Sequence, residues 1–154
     1  SQSDKYQWSD NVGAFLEVLA YSEGTKGRGN DDGYDVLFGG GQFYDYSTHP
    51  NVHVPFRNTF STAAGRYQIN HGTWLGACPK LGITDFSPLS QDRIAVYLLK
   101  LCGALSYIDN GDIINAFRKA SGTWASLPYS TAGQPTKSAD LLASVYTKNG
   151  GTIA

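Results

Sequence analysis

Residues 10–24 read Asp-Asn-Val-Gly-Ala-Phe-Leu-Glu-Val-Leu-Ala-Tyr-Ser-Glu-Gly. Val12, Phe15, Leu16, Leu19 and Ala20 recur at three- and four-residue steps, which predicts one apolar face of a helix from Asp10 to Glu23. Ser9 or Asp10 supplies the cap, and Gly24 is the usual stop just past a helix C-terminus. Glu23 continues the stack made by positions 12, 16 and 19, so its carboxyl is directed inward or into a cleft. It also sits in the last turn, where the helix dipole presents its negative end. Desolvation and that field both disfavour the charged form. A raised pKa is what a general acid working near neutral pH requires. The alternative for Glu23 is a frayed helix end and a solvated side chain.

Outward from this helix the pattern alternates between glycine-rich loops and further helices. Residues 34–38 and 42–46 are rich in aromatic and β-branched side chains and flank Gly39 to Gly41, which predicts a β-hairpin with Tyr44 in the core. Residues 49–62, carrying Pro50 and Pro55, read as a long loop. Helical periodicity resumes over 63–77 and stops before Pro79. Ser87-Pro88 is a cap followed by proline in the first turn, opening a helix with Ile94, Ala95, Leu98, Leu101 and Cys102 on one face. A shorter helix starts at Asp112 and carries Ile113, Ala116 and Phe117. A second long loop covers 127–136, and a last helix runs over 137–148 to Gly150. The fold class is α+β, mostly helical with one small β region. Long loops such as 49–62 and 127–136 are often functional.

The chain has 154 residues, the length of one ordinary domain. Lys+Arg is 12 and Asp+Glu is 13, so the clustered positive excess of a nucleic-acid footprint is absent. No stretch reaches the roughly 18–20 apolar residues of a membrane-spanning helix. There is no Met, so Ser1 is not an initiator, and residues 1–8 are expected to be a leader, linker or tag remnant. Cys78 and Cys102 are compatible with one disulfide or with two thiols.

Other chemistries find less support. His49, His53 and His71 lack zinc-site spacing, and no metal or other cofactor is expected. Ser22 lies outside a Gly-x-Ser-x-Gly elbow. Asp31, Asp32 and Asp35 lack the alternating ligands and closing Glu of a calcium loop. The chain holds 10 Tyr. Tyr34, Tyr46, Tyr67 and Tyr129 lie on or near the segments expected around Glu23, and a tyrosine ring with its polar tip suits a sugar.

Tyr21-Ser22-Glu23-Gly24-Thr25, Gly33-Tyr34-Asp35-Val36, Asp45-Tyr46-Ser47 and His49-Pro50 recur in order with Ala64-Gly65-Arg66-Tyr67-Gln68. They continue through Asp85-Phe86-Ser87-Pro88, Trp124-Ala125-Ser126-Leu127-Pro128, Gly133-Gln134 and Ala139-Asp140. This ordered set resembles the lambda-type endolysin family over nearly the whole chain. The resemblance implies a single lysozyme-like domain over 1–154, with helices around a small β region and a cleft between. It implies a peptidoglycan lytic transglycosylase that breaks the β-1,4 bond between N-acetylmuramic acid and N-acetylglucosamine, with the family's catalytic Glu falling on Glu23. Gln68, Tyr67, Tyr46, Tyr34, Tyr129 and Gln134 are the implied sugar-side residues, and Arg66 is expected to be structural, paired with an Asp.

In such an enzyme the nucleophile is the 6-hydroxyl of the substrate, so one carboxyl serves as acid and then as base. A retaining glycosidase needs a second carboxyl about 5 Å away, and an inverting one a wider pair. Two rivals therefore stay open: a hydrolytic muramidase using Asp35 or Asp45, and a non-catalytic glycan-binding module. The expected partner is the glycan strand, with no nucleic acid and no membrane span, and the chain is expected to be a monomer. The implied location is the host cytoplasm until release onto the periplasmic wall, with export open if a leader was removed. Tyr21 stands where the family carries Trp, and the cysteines do not match family cysteines.

Overall fold

A computed structural model describes residues 8–154. The expectation for the lead-in lies outside those residues, apart from Trp8. Helix α1, Asp10–Glu23, has the limits its periodicity predicts. Ser9 Oγ accepts from Val12 N at 3.1 Å and closes the first turn. Val12, Phe15, Leu19 and Ala20 are fully buried.

The chain is organised as two compact units. One runs through Glu23 and resumes from Val96 to Ala154; the other is Gly24–Ala95. In the first unit α1 packs against α4, Leu105–Asp109, and α6, Ala139–Lys148, while α5, Ile113–Ala120, packs against both α4 and α6. Phe15 and Phe117 meet with ring centroids 5.9 Å apart. Ile108, Leu142 and Tyr146 complete this core. Helix α5 begins one residue past the expected start, because Asp112 takes the cap and its side chain accepts from Asn115 N. Helix α6 starts at Ala139, two residues later than expected, because Ser138 takes the cap and accepts from Leu141 N.

In the second unit the β structure lies elsewhere than expected. Strands β1, Val54–Phe56, and β2, Thr59–Ser61, pair antiparallel inside the segment read as a loop. Pro55 misled that reading. A two-stranded sheet has only edge strands, where a proline's missing N–H is tolerated. Arg57 takes φ 56° at the first residue of the two-residue turn, the left-handed position a tight hairpin demands. The predicted hairpin over 34–46 shrinks to a single bridge, Val36 with Gln42, around a 3₁₀ turn at Phe38–Gly40. Tyr44, expected in the core, is 80% exposed, and Phe43 is the buried neighbour.

The helix expected over 63–77 is displaced. Gly65 at φ 79° and Gln68 at φ 53° close a turn in which Ala64 and Ile69 exchange backbone hydrogen bonds. A Cβ on Gly65 would collide with the Gln91 carboxamide, whose oxygen accepts from Arg66 N at 2.9 Å. Helix α2 starts only at His71 and runs to Leu81, through Pro79. The hydrogen bond forfeited there belongs to Leu75, which is 52% exposed. Helix α3, Pro88–Leu101, begins at the predicted Ser87-Pro88 signal. Its buried line runs Gln91, Ile94, Ala95, Leu99; Leu101, expected inside, is 64% exposed. Cys78 and Cys102 are free thiols.

Candidate active site

Glu23 ends α1 in the first unit, as a part-buried side chain. Burial pushes its carboxyl up from an ordinary value of 4.5 to about 7. Two groups oppose the rise: the Ser126 hydroxyl and the positive charge of Lys137. Ser126 Oγ points to Glu23 Oε2 at 3.4 Å, a long contact for a hydroxyl donor. On its other side Ser126 Oγ lies 2.7 Å from Ser22 Oγ, and Ser22 is buried. The site is therefore a carboxyl at a helix end with a pair of hydroxyls behind it and a cation in range.

The 127–136 loop begins and ends at these groups. Lys137 N donates to Ser126 O at 2.9 Å, closing the loop at its base. Leu127 and Pro128 are buried under it, and residues 131–136 are exposed. Tyr129, 43% exposed, takes φ 71° and lies under the Arg118 guanidinium at 4.2 Å. Gln134 is exposed on the same loop. Sequence reading passed over Ser126 and Lys137. The available signal was a hydroxyl and a cation flanking a long loop; the missing fact was that both loop ends meet at α1.

The second unit holds the remaining predicted residues. Tyr34 and Tyr67 are brought together on one carboxylate: both hydroxyls donate to Asp92 Oδ1, at 2.8 and 2.6 Å. Their rings meet edge to face, centroids 6.3 Å apart. Burial and the Asp92 charge raise both phenols well above their ordinary value. Tyr67 is only 1% exposed, a buried support of the Gly65–Ile69 turn. Arg66 pairs with Asp32 at 3.1 Å and lies over the Tyr34 ring at 5.3 Å, a structural role. Tyr46 donates to Asp31 at 2.6 Å. Gln68 is part-exposed, and its amide donates to Gly65 O at 2.9 Å.

The two carboxylates weighed as nucleophiles have other engagements. Asp35 is 4% exposed and its Oδ2 accepts from Asn30 N and Gln42 Nε2. Asp45 is exposed, and the Ser47 backbone N–H holds its carboxyl below the ordinary range. Among the described residues, no three His, Cys, Asp or Glu side chains gather as a metal site.

A family model described as Endolysin matches residues 13–153. The chain belongs to the endolysin family. This endolysin is 44% identical to the endolysin of Escherichia phage lambda over 144 residues, 91% of each chain. It is 41% identical to that of Escherichia phage P2, over 94% of this chain and 95% of the relative. Its fold matches the solved structure of bacteriophage lambda lysozyme complexed with a chitohexasaccharide, with a TM-score of 0.91 and 42% identity. That match covers 96% of this chain and 98% of the other. The α+β lysozyme-like fold is thereby established, and this endolysin is a cell-wall-degrading enzyme of the lambda type. No helix of the described residues is long and apolar enough to cross a membrane.

Proposed function

We propose that this endolysin is a peptidoglycan lytic transglycosylase with Glu23 as its single acid–base group. The observation that supports this most is the Glu23 carboxyl itself, poised at about 7 by burial. At neutral pH a large share of the carboxyl is then protonated and able to act as the acid, and a proton affinity near the working pH also suits it to take the proton back.

The reaction balances without water. The Glu23 carboxyl gives its proton to the glycosidic oxygen. The bond from C1 of N-acetylmuramic acid breaks, and N-acetylglucosamine leaves with a free 4-hydroxyl. The muramic acid 6-hydroxyl oxygen bonds to C1 and closes a 1,6-anhydro ring. Its proton passes to the Glu23 carboxylate and restores the acid. Intramolecular attack removes the entropy cost of capturing a second molecule. The nucleophile belongs to the substrate, so the scheme draws on no second carboxylate and no cofactor. Gln68, Tyr46, Tyr34, Tyr129 and Gln134 are the proposed sugar contacts, on a glycan like that in the lambda lysozyme complex. The enzyme acts as a monomer on the host wall.

Mass spectrometry of digested peptidoglycan tests the reading. Fragments one water lighter than hydrolysis products, ending in anhydro-muramic acid, are expected. Reducing muramic acid ends instead would establish the hydrolytic muramidase. Glu23→Gln is expected to lose at least about 10²–10⁴ in rate while still binding glycan. Undiminished lysis by that variant would remove Glu23 from its role.

A further inference from the structure

Ser126 touches the candidate acid, and the family reading gives it no task. Its hydroxyl stands between Ser22 Oγ at 2.7 Å and Glu23 Oε2 at 3.4 Å. A hydroxyl has one proton to donate and two lone pairs. If Ser126 donates to Glu23, Ser22 supplies the hydrogen bond that Ser126 accepts, and the two form a short polarised chain ending on the carboxyl. Ser22 is buried on α1 and fixes one end of that chain. The other end is free to tighten. A contact of 3.4 Å is weak for a neutral acid, while a hydroxyl on a carboxylate settles nearer 2.5–2.7 Å. The contact therefore strengthens when Glu23 loses its proton, which is the moment between its acid and base steps.

We propose that Ser126, backed by Ser22, is a positioning residue that orients Glu23 and stabilises its carboxylate between the two proton transfers. This rests on the acid–base reading of Glu23 given above. The backbone bond from Lys137 N to Ser126 O makes the closed base of the 127–136 loop part of the device. The same clip that fixes Ser126 brings in the Lys137 charge that acts on Glu23. The helices that pack most extensively against α1 are α4 and α6. Their ionisable side chains are Tyr107, Asp109, Asp140, Tyr146 and Lys148, and none of these is among the groups that shift Glu23. Asp109 is engaged by Ser9 Oγ, near the opposite end of α1. Without Ser126, desolvation of Glu23 is opposed, among the described residues, by Lys137.

The test uses the full chain with Ser126→Ala, Ser126→Thr and Ser22→Ala. The Glu23 carboxyl is titrated directly by carbon-13 NMR, alongside the pH profile of wall digestion. Ser126→Ala is expected to fold, to titrate Glu23 at a higher pH, and to move the alkaline limb of the profile, where the acid form is lost, upward. Its kcat is expected to fall about tenfold or more, the size of a lost hydrogen bond to a charged group. KM should stay near the parent value. Ser126→Thr keeps the hydroxyl and should restore both readouts, and Ser22→Ala should give a smaller change of the same sign. An unmoved Glu23 titration in Ser126→Ala overturns the proposal even if Glu23→Gln is inactive. Full lysis by Glu23→Gln instead overturns the acid–base reading and the catalytic part of the proposal with it, whatever the titration shows.

Discussion

Replacing Glu23 by Gln should stabilise the fold, and only above a definite pH. The folded protein holds the Glu23 proton up to about 7, whereas the unfolded chain releases it near the ordinary 4.5. Between those values the folded state binds the extra proton. The stabilisation that Glu23 contributes is thus complete below 4.5 and is lost as pH rises through about 7. The loss accrues at about 1.4 kcal/mol per pH unit across that window. Discounted for the solvent that reaches a part-buried group, it amounts to about 2–3 kcal/mol by pH 8. Gln keeps the shape and a hydrogen-bonding tip but carries no charge to desolvate. The variant should therefore match the parent at pH 4 and exceed it by that amount at pH 8. For a chain of this size the gain corresponds to about 5–10 °C in Tm. Urea and thermal unfolding of both proteins at pH 4, 6 and 8 measure it, and the groups common to the two cancel in the difference. A difference that does not change with pH, or no gain at pH 8, would refute the claim that burial of Glu23 sets its proton affinity. Such a gain, coupled to lost lysis, is the usual exchange of stability for function at a site that desolvates a carboxyl.

Two further substitutions probe the second unit. Tyr67→Phe removes one of two phenols on the buried Asp92 and should cost about 1.5–3 kcal/mol in urea unfolding. The rate per folded molecule should stay close to that of the parent, since Tyr67 has almost no surface to offer a ligand. His49 accepts from Asn51 N through Nδ1 and meets Ile69 O at 2.7 Å through Nε2, an arrangement that uses the neutral ring. Burial, aided by nearby His71, lowers its pKa below the ordinary 6.5. Its contribution to stability is present above 6.5 and is lost as pH falls through the folded value. His49→Gln should flatten that acid-side decline in the urea midpoint. An equally steep decline in the variant would place its origin elsewhere.

How legible each part was follows from the range of the forces involved. The limits of α1, the Ser87-Pro88 start of α3 and the Asp112 cap of α5 are set by side chains within four residues of the backbone they fix, so a local reading suffices. Gly65, Gln68 and Arg57 misled it. Gln68 and Arg57 are non-glycine residues held at left-handed angles, which local propensity disfavours, and Gly65 is fixed in its turn beside the distant Gln91 carboxamide. Pro55 misled it because whether a strand lies at an edge depends on the whole sheet. Phe43 and Tyr44 show the same limit: both are aromatic, and only the register of the single Val36–Gln42 bridge decides which is buried.

The sequence alone determined that Glu23 closes an amphipathic helix in line with its apolar face, because helical geometry couples residues three and four apart. It also determined the family, through motifs whose order no single block could establish. The balance at Glu23 was decided only by tertiary structure. Burial raises its proton affinity, while Ser126, more than a hundred positions along the chain, and Lys137, beyond it, pull that affinity back. Solvation and charge act through space, and the distances that govern them do not exist until the loop base closes against the end of α1.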